Sequence, residues 1–297
     1  MAPRCMLVTL LGAPNVGKST LLNRMVGAKV SIVTPKVQTT RSRIAGIGLF
    51  GETQLVFFDT PGIFKPKKRM QRAMVEAAWS CAHQSDKVVL IIDSCAGLTS
   101  DTCRVIGKLR TAHFSVTAVL NKIDLIQRPK LLQLISHLDD EQLFQDIFMI
   151  SALNGDGVKD FLEKLTTEAP LGPWLYPEDQ VSDIPLRMLA SEMTREKLFL
   201  QLQNELPYSS NVLTEQWRER KDGSVRIDQV IFVERQSQKV IVVGKNGERV
   251  KSIGTAARRE LESFLERRVH LFLHVKVRHD WSERPEHYHD LGLDFNA

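Results

Sequence analysis

The sequence holds no apolar run near the roughly 18 residues that a helical membrane span needs. Its cysteines, Cys5, Cys81, Cys95 and Cys103, have no C-x-x-C or other metal-ligand spacing, so plain thiols in a reducing compartment are the simple reading. The N-terminal stretch CMLVTLLG is apolar enough for a short signal core. It lacks a cleavage-like site and runs straight into a glycine-rich loop, which makes it a first strand. No internal repeat, low-complexity tract or organelle presequence is visible.

What remains is an ordinary globular composition, 43% hydrophobic and 25% charged. A length of 297 residues suggests two domains of about 150 residues each. The net charge of +5 is unevenly spread. Arg235 to Arg278 carries 11 Lys or Arg against 4 Asp or Glu, or +7, so the rest sums to −2. A basic block on a near-neutral body implies a polyanionic partner.

The first part alternates strand-like stretches (5–12, 43–50, 53–59, 87–93, 115–121, 146–151) with helix-like ones (18–27, 69–83, 99–112, 129–138, 157–168). That alternation predicts a mostly parallel, six-stranded α/β sheet with helices on both faces. The proline-rich APLGPWLYPEDQ, 169–180, reads as a linker. The expected domains are therefore 1–170, a linker at 171–183, and 184–297. In the last, 184–207 has helical periodicity ending at Pro207, KDG joins two strands of a hairpin, RREL to FLERR is helical and VHLFLHVKVR alternates as a strand. This second domain is small and α+β.

Gly12 to Ser19, GAPNVGKS, fits the phosphate-loop pattern G-x-x-x-x-G-K-[ST]. The loop of Gly12, Ala13, Pro14, Asn15, Val16 and Gly17 would turn its backbone N–H groups, which Pro14 lacks, onto phosphate oxygens at a helix N-terminus, with Thr20 beside them. Lys18 would reach the β- and γ-phosphates and Ser19 would ligate Mg²⁺. In FFDTPG, Asp59 would belong to the Mg²⁺ shell, Thr60 and Pro61 to the turn, and the Gly62 amide would meet the γ-phosphate. VLNKID ends a further strand. There the Asp124 carboxylate would pair with guanine N1–H and N2, Asn121 would brace the loop and the Lys122 stem would cover the base. Adenine lacks the N2 amine and would leave a buried oxygen unpaired, so ATP is rejected. ISAL follows the sixth strand, with Ser151 and an Ala152 amide placed for guanine O6. These pieces, in this order at strand C-termini, imply a GTP-binding domain.

VQTTRSR, 37–43, lies where a switch would order against Mg²⁺ and GTP, through Thr40 in preference to Thr39. Lys18, Thr40 and Gly62 are then the candidate catalytic set. The residue after Gly62, where many GTPases place a water-orienting Gln, is Ile63, so intrinsic turnover should be slow. Asn15 either recruits a monovalent cation such as K⁺ or merely shapes the loop. Lys65, Lys67, Lys68 and Arg69 read equally as a solvated basic loop or an RNA contact.

Gly244 to Gly247, GKNG, is too short to wrap a triphosphate, and no second D-x-x-G or N-K-x-D accompanies it. A G-x-x-G turn instead lets nucleic-acid backbone phosphates approach closely. Gly244, Lys245, Asn246, Gly247, Arg249 and Lys251 are the candidate RNA contacts.

GAPNVGKSTLLN, QTTRSRI, DTPGI, NKIDL, SAL and VVGKNGERVKSIGTAARREL together resemble the Era family of GTPases, which carry a C-terminal type II KH domain. The resemblance spans about residues 5 to 280. It implies a monomeric cytoplasmic assembly factor for the small ribosomal subunit. Such a protein binds the 3′ end of small-subunit rRNA under GTP/GDP control, with peripheral association at the inner face of the cell membrane. It also implies a short helix over SQKVIVVG, despite its β-forming residues. Two readings compete: a GTPase acting in tRNA modification, which lacks a KH block, and a passive RNA binder with a merely structural nucleotide site. His287 and His289 form an H-x-H pair, better read as part of a solvated tail than as metal ligands.

Overall fold

The chain's structure, a computed structural model, describes residues 2–203, 206–279 and 281–297. It divides into two compact units. The first runs through Ser31, then takes Thr40–Asp183 and Tyr288–Ala297; the second comprises Ile32–Thr39 and Ile184–His287.

In the first unit the order is β1 (Arg4–Leu11), α1 (Lys18–Val26), β2 (Ile44–Phe50), β3 (Thr53–Asp59), α2 (Arg69–His83), β4 (Lys87–Asp93), α3 (Ser100–Ala112), β5 (Val116–Asn121), α4 (Arg128–Asp140), β6 (Phe144–Met149) and α5 (Val158–Glu168). The sheet runs β2-β3-β1-β4-β5-β6, with β2 antiparallel to β3 and every other pairing parallel. Near-continuous apolar runs such as VVLII in β4 suit strands covered on both faces. Leu90, Ile92 and Leu120 pack against Val105 and Leu109 of α3 and Leu134 and Leu138 of α4. Because the central strands are parallel, Leu11, Asp59, Asp93, Asn121 and Met149 all end at one edge, where a ligand site forms in open α/β sheets.

The linker is sewn to this unit. Gln54, fully buried on β3, donates from Nε2 to the Tyr176 carbonyl (2.8 Å) and accepts at Oε1 from the N–H groups of Leu175 (2.8 Å) and Tyr176 (3.1 Å). Ser182 Oγ donates to the Ala45 carbonyl (2.6 Å), and Asp183 accepts from the Ala45 N–H (3.2 Å). Proline-rich composition marked a connection here, and these backbone bonds hold it in place.

The second unit contains α6 (Leu186–Gln201), β7 (Ser210–Glu219), β8 (Val225–Val233), α7 (Gln236–Val243), α8 (Glu248–Leu265) and β9 (Val269–Val277). β7 and β8 form the expected hairpin, and β9 adds parallel to β8. The helix expected to reach Pro207 ends at Gln201, and Asn204 and Glu205 lie outside the described residues. VIVV does lie in a helix, α7. Gln238 sets its start by accepting from the N–H groups of Glu234 (2.8 Å) and Arg235 (3.0 Å), and the capped first turn overrides β-propensity. α8 begins at Glu248, upstream of the expected RREL stretch. Ile253, Ala257 and Leu261, spaced by four, bury one of its faces.

The tail differs from the solvated segment expected. His287 is buried, packed edge-on against Trp281 (5.8 Å between centroids) and tilted against Phe232 (5.9 Å). It lies within the short helix α9 (Pro285–Asp290). Tyr288, Leu291 and Leu293 are buried, Phe295 meets Tyr288 at 5.0 Å, and the Arg69 guanidinium sits 4.5 Å over the Phe295 ring. Tyr288–Ala297 therefore clusters with the first unit, whereas it was expected with 184–297. An apolar set at a chain end buries itself wherever it finds a partner.

Replacing Gln54 with Ala strips three backbone groups of their partner. Gln54→Ala should cost the first unit about 2–4 kcal/mol, read as a shift in denaturant midpoint at unchanged m-value.

Candidate nucleotide site and RNA-facing turn

β1 delivers Gly12 and α1 begins at Lys18, so the six-residue turn between them faces a helix N-terminus. Gly17 has φ +100°, and a Cβ there would lie 2.2 Å from the Asn121 amide nitrogen, so only glycine fits. That amide donates to the Val16 carbonyl (2.8 Å), while Asn121 Oδ1 accepts from the Ala152 N–H (2.9 Å). Asn121 thus ties the phosphate-loop segment to the SAL segment. The Ala152 amide, expected at guanine O6, is engaged by Asn121. Lys122 donates to the Asn15 carbonyl (2.8 Å) and to Asp93 Oδ2 (2.5 Å), so its ammonium is held at the loop while its stem stays half-exposed. Asp124 follows on the exposed rim, and Ser151, fully buried, accepts from the Asn154 N–H (3.1 Å).

Asp59 is the centre of the arrangement. Its carboxylate is fully buried, and Oδ2 accepts from Ser19 Oγ (2.6 Å), Ser31 Oγ (2.8 Å) and Thr40 Oγ1 (3.2 Å). Ser19 and Thr40 hydroxyls lie 3.0 Å apart. Oδ1 is buried with no partner among the described residues. Burial pushes the Asp59 pKa up, opposed by the Lys18 charge and the three hydroxyls. Thr39 turns elsewhere, pairing with the Thr34 hydroxyl (2.6 Å) and the Lys36 carbonyl (2.8 Å), so the structure brings Thr40, and not Thr39, to Asp59. Sequence reasoning missed Ser31 and Asp93, which belong to no motif; only their place in the fold brings them here.

Lys18 donates to the Gly12 (3.2 Å) and Ala13 (3.0 Å) carbonyls. Burial lowers its pKa to about 8, with the Asp59 charge opposing that shift. Thr60 Oγ1 donates to the Leu10 carbonyl (2.7 Å), and beyond Pro61 the Ile63 N–H donates to the Gly12 carbonyl (3.0 Å), which brings the Gly62 turn against the phosphate loop. The Ile63 side chain is buried in the apolar core. Asn15 and Lys65, Lys67 and Lys68 are exposed, and Arg69 is half-buried under its Phe295 contact.

In the second unit, GKNG hands α7 to α8. Gly247 has φ +79° with open space around a Cβ, and Asn246 is also left-handed, at φ 51°. Lys245 and Lys251 are exposed, whereas Arg249 donates to the Ile241 carbonyl (3.1 Å) and stiffens the turn. Val240 and Ile241, 62% and 48% exposed, place apolar surface beside that turn. The β-like pattern of VIVV concealed that pair.

A sequence profile described as 50S ribosome-binding GTPase matches residues 7–122, and a KH-domain profile matches 205–282. GTPase Era of Rhizobium meliloti is 56% identical over 288 residues, 97% of this chain and 92% of that one. This chain belongs to the GTPase Era family. GTPase Era of Brucella suis is 54% identical over 97% of this chain and 93% of its own. A solved Era in complex with MgGDPNP and nucleotides 1506–1542 of 16S ribosomal RNA superimposes with a TM-score of 0.93 at 37% identity, covering 98% of this chain and 99% of that one. A variant of Aquifex aeolicus Era bound to GDP·AlF4⁻ gives 0.93 at 37% identity, covering 97% and 99%. As an Era family member, the chain is a GTPase that binds GTP and GDP, with a P-loop domain followed by a KH domain. The KH domain sets aside the tRNA-modification alternative.

A phosphate on Lys18, as the loop pattern predicts, would select the ammonium form, and with a folded pKa of about 8 it would couple GTP binding to proton uptake. Below pH 7 the ammonium is already present and affinity is flat. Calorimetry in buffers of different ionisation enthalpy should find about half a proton taken up at pH 8, and affinity falling toward pH 9. The sign for stability is opposite. The unfolded chain binds the extra proton, so Lys18 adds stability to the nucleotide-free protein as pH rises from about 8 toward its ordinary value.

Proposed function

We propose that this chain is a GTP-controlled assembly factor of the small ribosomal subunit. It would hold the 3′ end of small-subunit rRNA at the GKNG turn and release it as the nucleotide changes. The observation that carries this reading is the pairing of a GTP-type loop set with a KH domain in the same order and fold as an Era solved on a 16S rRNA fragment. The basic block from Arg235 to Arg278 supplies the charge, Gly244, Lys245, Asn246, Gly247, Arg249 and Lys251 the phosphate contact, and Val240 with Ile241 the apolar surface for bases.

Mg²⁺ suits the first site. The buried, unpartnered Asp59 Oδ1 and the Ser19 and Thr40 hydroxyls are hard oxygen donors of the kind that ion takes. When bound, it offsets charge on the β- and γ-phosphates. Lys18 adds a second positive charge, the Gly62 amide faces the γ-phosphate, and Thr40 marks the triphosphate state. The exposed Asn15 is placed to recruit K⁺ at the phosphate loop. No helix among the described residues is long and apolar enough to cross a membrane. The reading places a monomer in the cytoplasm, with peripheral contact at the inner face of the membrane.

Asp124→Asn exchanges a carboxylate that accepts from both N1–H and N2 for an amide that clashes with N1–H. GTP affinity should fall about a hundredfold while xanthosine triphosphate gains. Unchanged GTP affinity by nucleotide titration would reject the base-recognition assignment. Gly247→Asp has room for its side chain but sets a negative charge on the phosphate path. Affinity for a single-stranded RNA ending in the small-subunit 3′ sequence should drop about tenfold or more, with GTP hydrolysis unaltered. Normal RNA affinity would move the RNA site elsewhere.

A further inference from the structure

The last turn of α1 carries an arginine that belongs to no phosphate-loop pattern. Arg24 Nε donates to the Ala152 carbonyl (3.2 Å) and Nη2 to the Leu153 carbonyl. One edge of a planar guanidinium thus holds two successive carbonyls of the SAL segment, a fork that a lysine does not offer. Both partners lie within the first unit.

The gripped segment is a turn that closes on itself. The Ser151 N–H donates to the Asp156 carbonyl (3.0 Å), the Gly155 N–H to the Ser151 carbonyl (2.7 Å) and the Asn154 N–H to Ser151 Oγ (3.1 Å). Those bonds set the shape of the turn but not its direction relative to β5 and the phosphate loop. Direction comes from outside it. Asn121, at the end of β5, accepts from the Ala152 N–H (2.9 Å), and Arg24, from α1, donates to the carbonyl of the same residue. A planar trans peptide sends its N–H and its C=O to opposite sides. Fixing the Ala152 carbonyl on Arg24 therefore turns the Leu153 N–H away from α1. The amides on either side are spent, Ala152 on Asn121 and Asn154 on Ser151. Of these three consecutive amides, that of Leu153 is the one available to a ligand. Stability alone does not account for the arginine: it is exposed, and the little that a cation adds at a helix C-terminus any basic side chain would supply.

We propose that Arg24 is a positioning residue for guanine recognition: it holds the Ala152 and Leu153 carbonyls so that the Leu153 N–H meets O6 of the base. The inference rests on the reading of SAL as the contact for guanine O6. It changes the donor from Ala152 to Leu153 and names the side chain that aims it. One helix then serves both ends of the nucleotide, with Lys18 and Ser19 in its first turn for the phosphates and Arg24 in its last for the base. O6 is common to GDP and GTP, so the clamp acts on binding of both and not on the chemical step. A merely structural role would weaken every nucleotide alike. A positioning role weakens only those whose base offers a good acceptor at position 6.

The test titrates the full chain with GDP and with 6-thioguanosine diphosphate, which keeps N1–H and the N2 amine for Asp124 but puts sulfur, a weak acceptor, in place of O6. The unaltered protein should prefer GDP by about tenfold. Arg24→Ala should lose about fivefold in GDP affinity and almost nothing for the thio analogue, so that the preference shrinks to about twofold. In steady-state hydrolysis the same variant should raise KM for GTP by a similar factor at unaltered kcat. Arg24→Lys keeps the charge at the helix end but not the fork. It should show the same shrunken preference at wild-type thermal stability, and it covers the case in which Arg24→Ala folds poorly. Equal losses for the two diphosphates, or an unaltered preference in both variants, would overturn the proposal while leaving the O6 reading intact. If the unaltered protein itself holds both diphosphates equally, the reading beneath the proposal fails as well.

Discussion

A carboxylate buried without a full set of partners governs the first unit. Asp59 ends a central strand where no water reaches it, and desolvation alone would drive it to protonate. Lys18, Ser19, Ser31 and Thr40 gather around it to keep the charged form tolerable, and one oxygen is still left bare. The four helpers come from three parts of the chain: Lys18 and Ser19 from a helix start, Ser31 from the stretch after α1, and Thr40 from the approach to β2. Asp59 Oδ2 thus links the phosphate loop, the switch segment and the sheet, while Oδ1 is the orphaned oxygen. The small cation proposed for this site would satisfy that oxygen more fully than any further hydroxyl can.

Much of this was legible in sequence for a definite reason. The phosphate loop, the D-x-x-G turn and N-K-x-D each combine residues within eight positions, and each follows a strand whose apolar run is equally local. Their order along the chain then fixes their meeting place, because parallel strands align their C-terminal ends. Thr40 was preferred over Thr39 on sequence, and the geometry separates them clearly: one hydroxyl is spent within its own loop, the other reaches the carboxylate. G-x-x-G needed the charge count around it, since four residues alone say little.

What escaped the sequence was long-range. Nothing periodic announces that Gln54 holds the linker, that Ser31 reaches Asp59, or that a tail ending in LGLDFNA packs onto the first unit. His287 looked like a solvated residue because its neighbours are charged, yet Trp281 and Phe232 supply an aromatic slot for it. α7 shows the converse error of local reasoning: β-branched residues form a helix because Gln238 caps it and Val242 buries against the sheet side. Ala152 illustrates a subtler limit. Its motif was recognised, but the partner of its amide depends on where the Asn121 side chain turns.

Ile63 stands where a water-orienting glutamine would be expected. Its side chain is locked into the apolar core and its N–H is committed to Gly12, so neither can orient an attacking water. On the proposed reading, catalysis then rests on groups that position and neutralise: Lys18, the loop amides and the hydroxyl at residue 40.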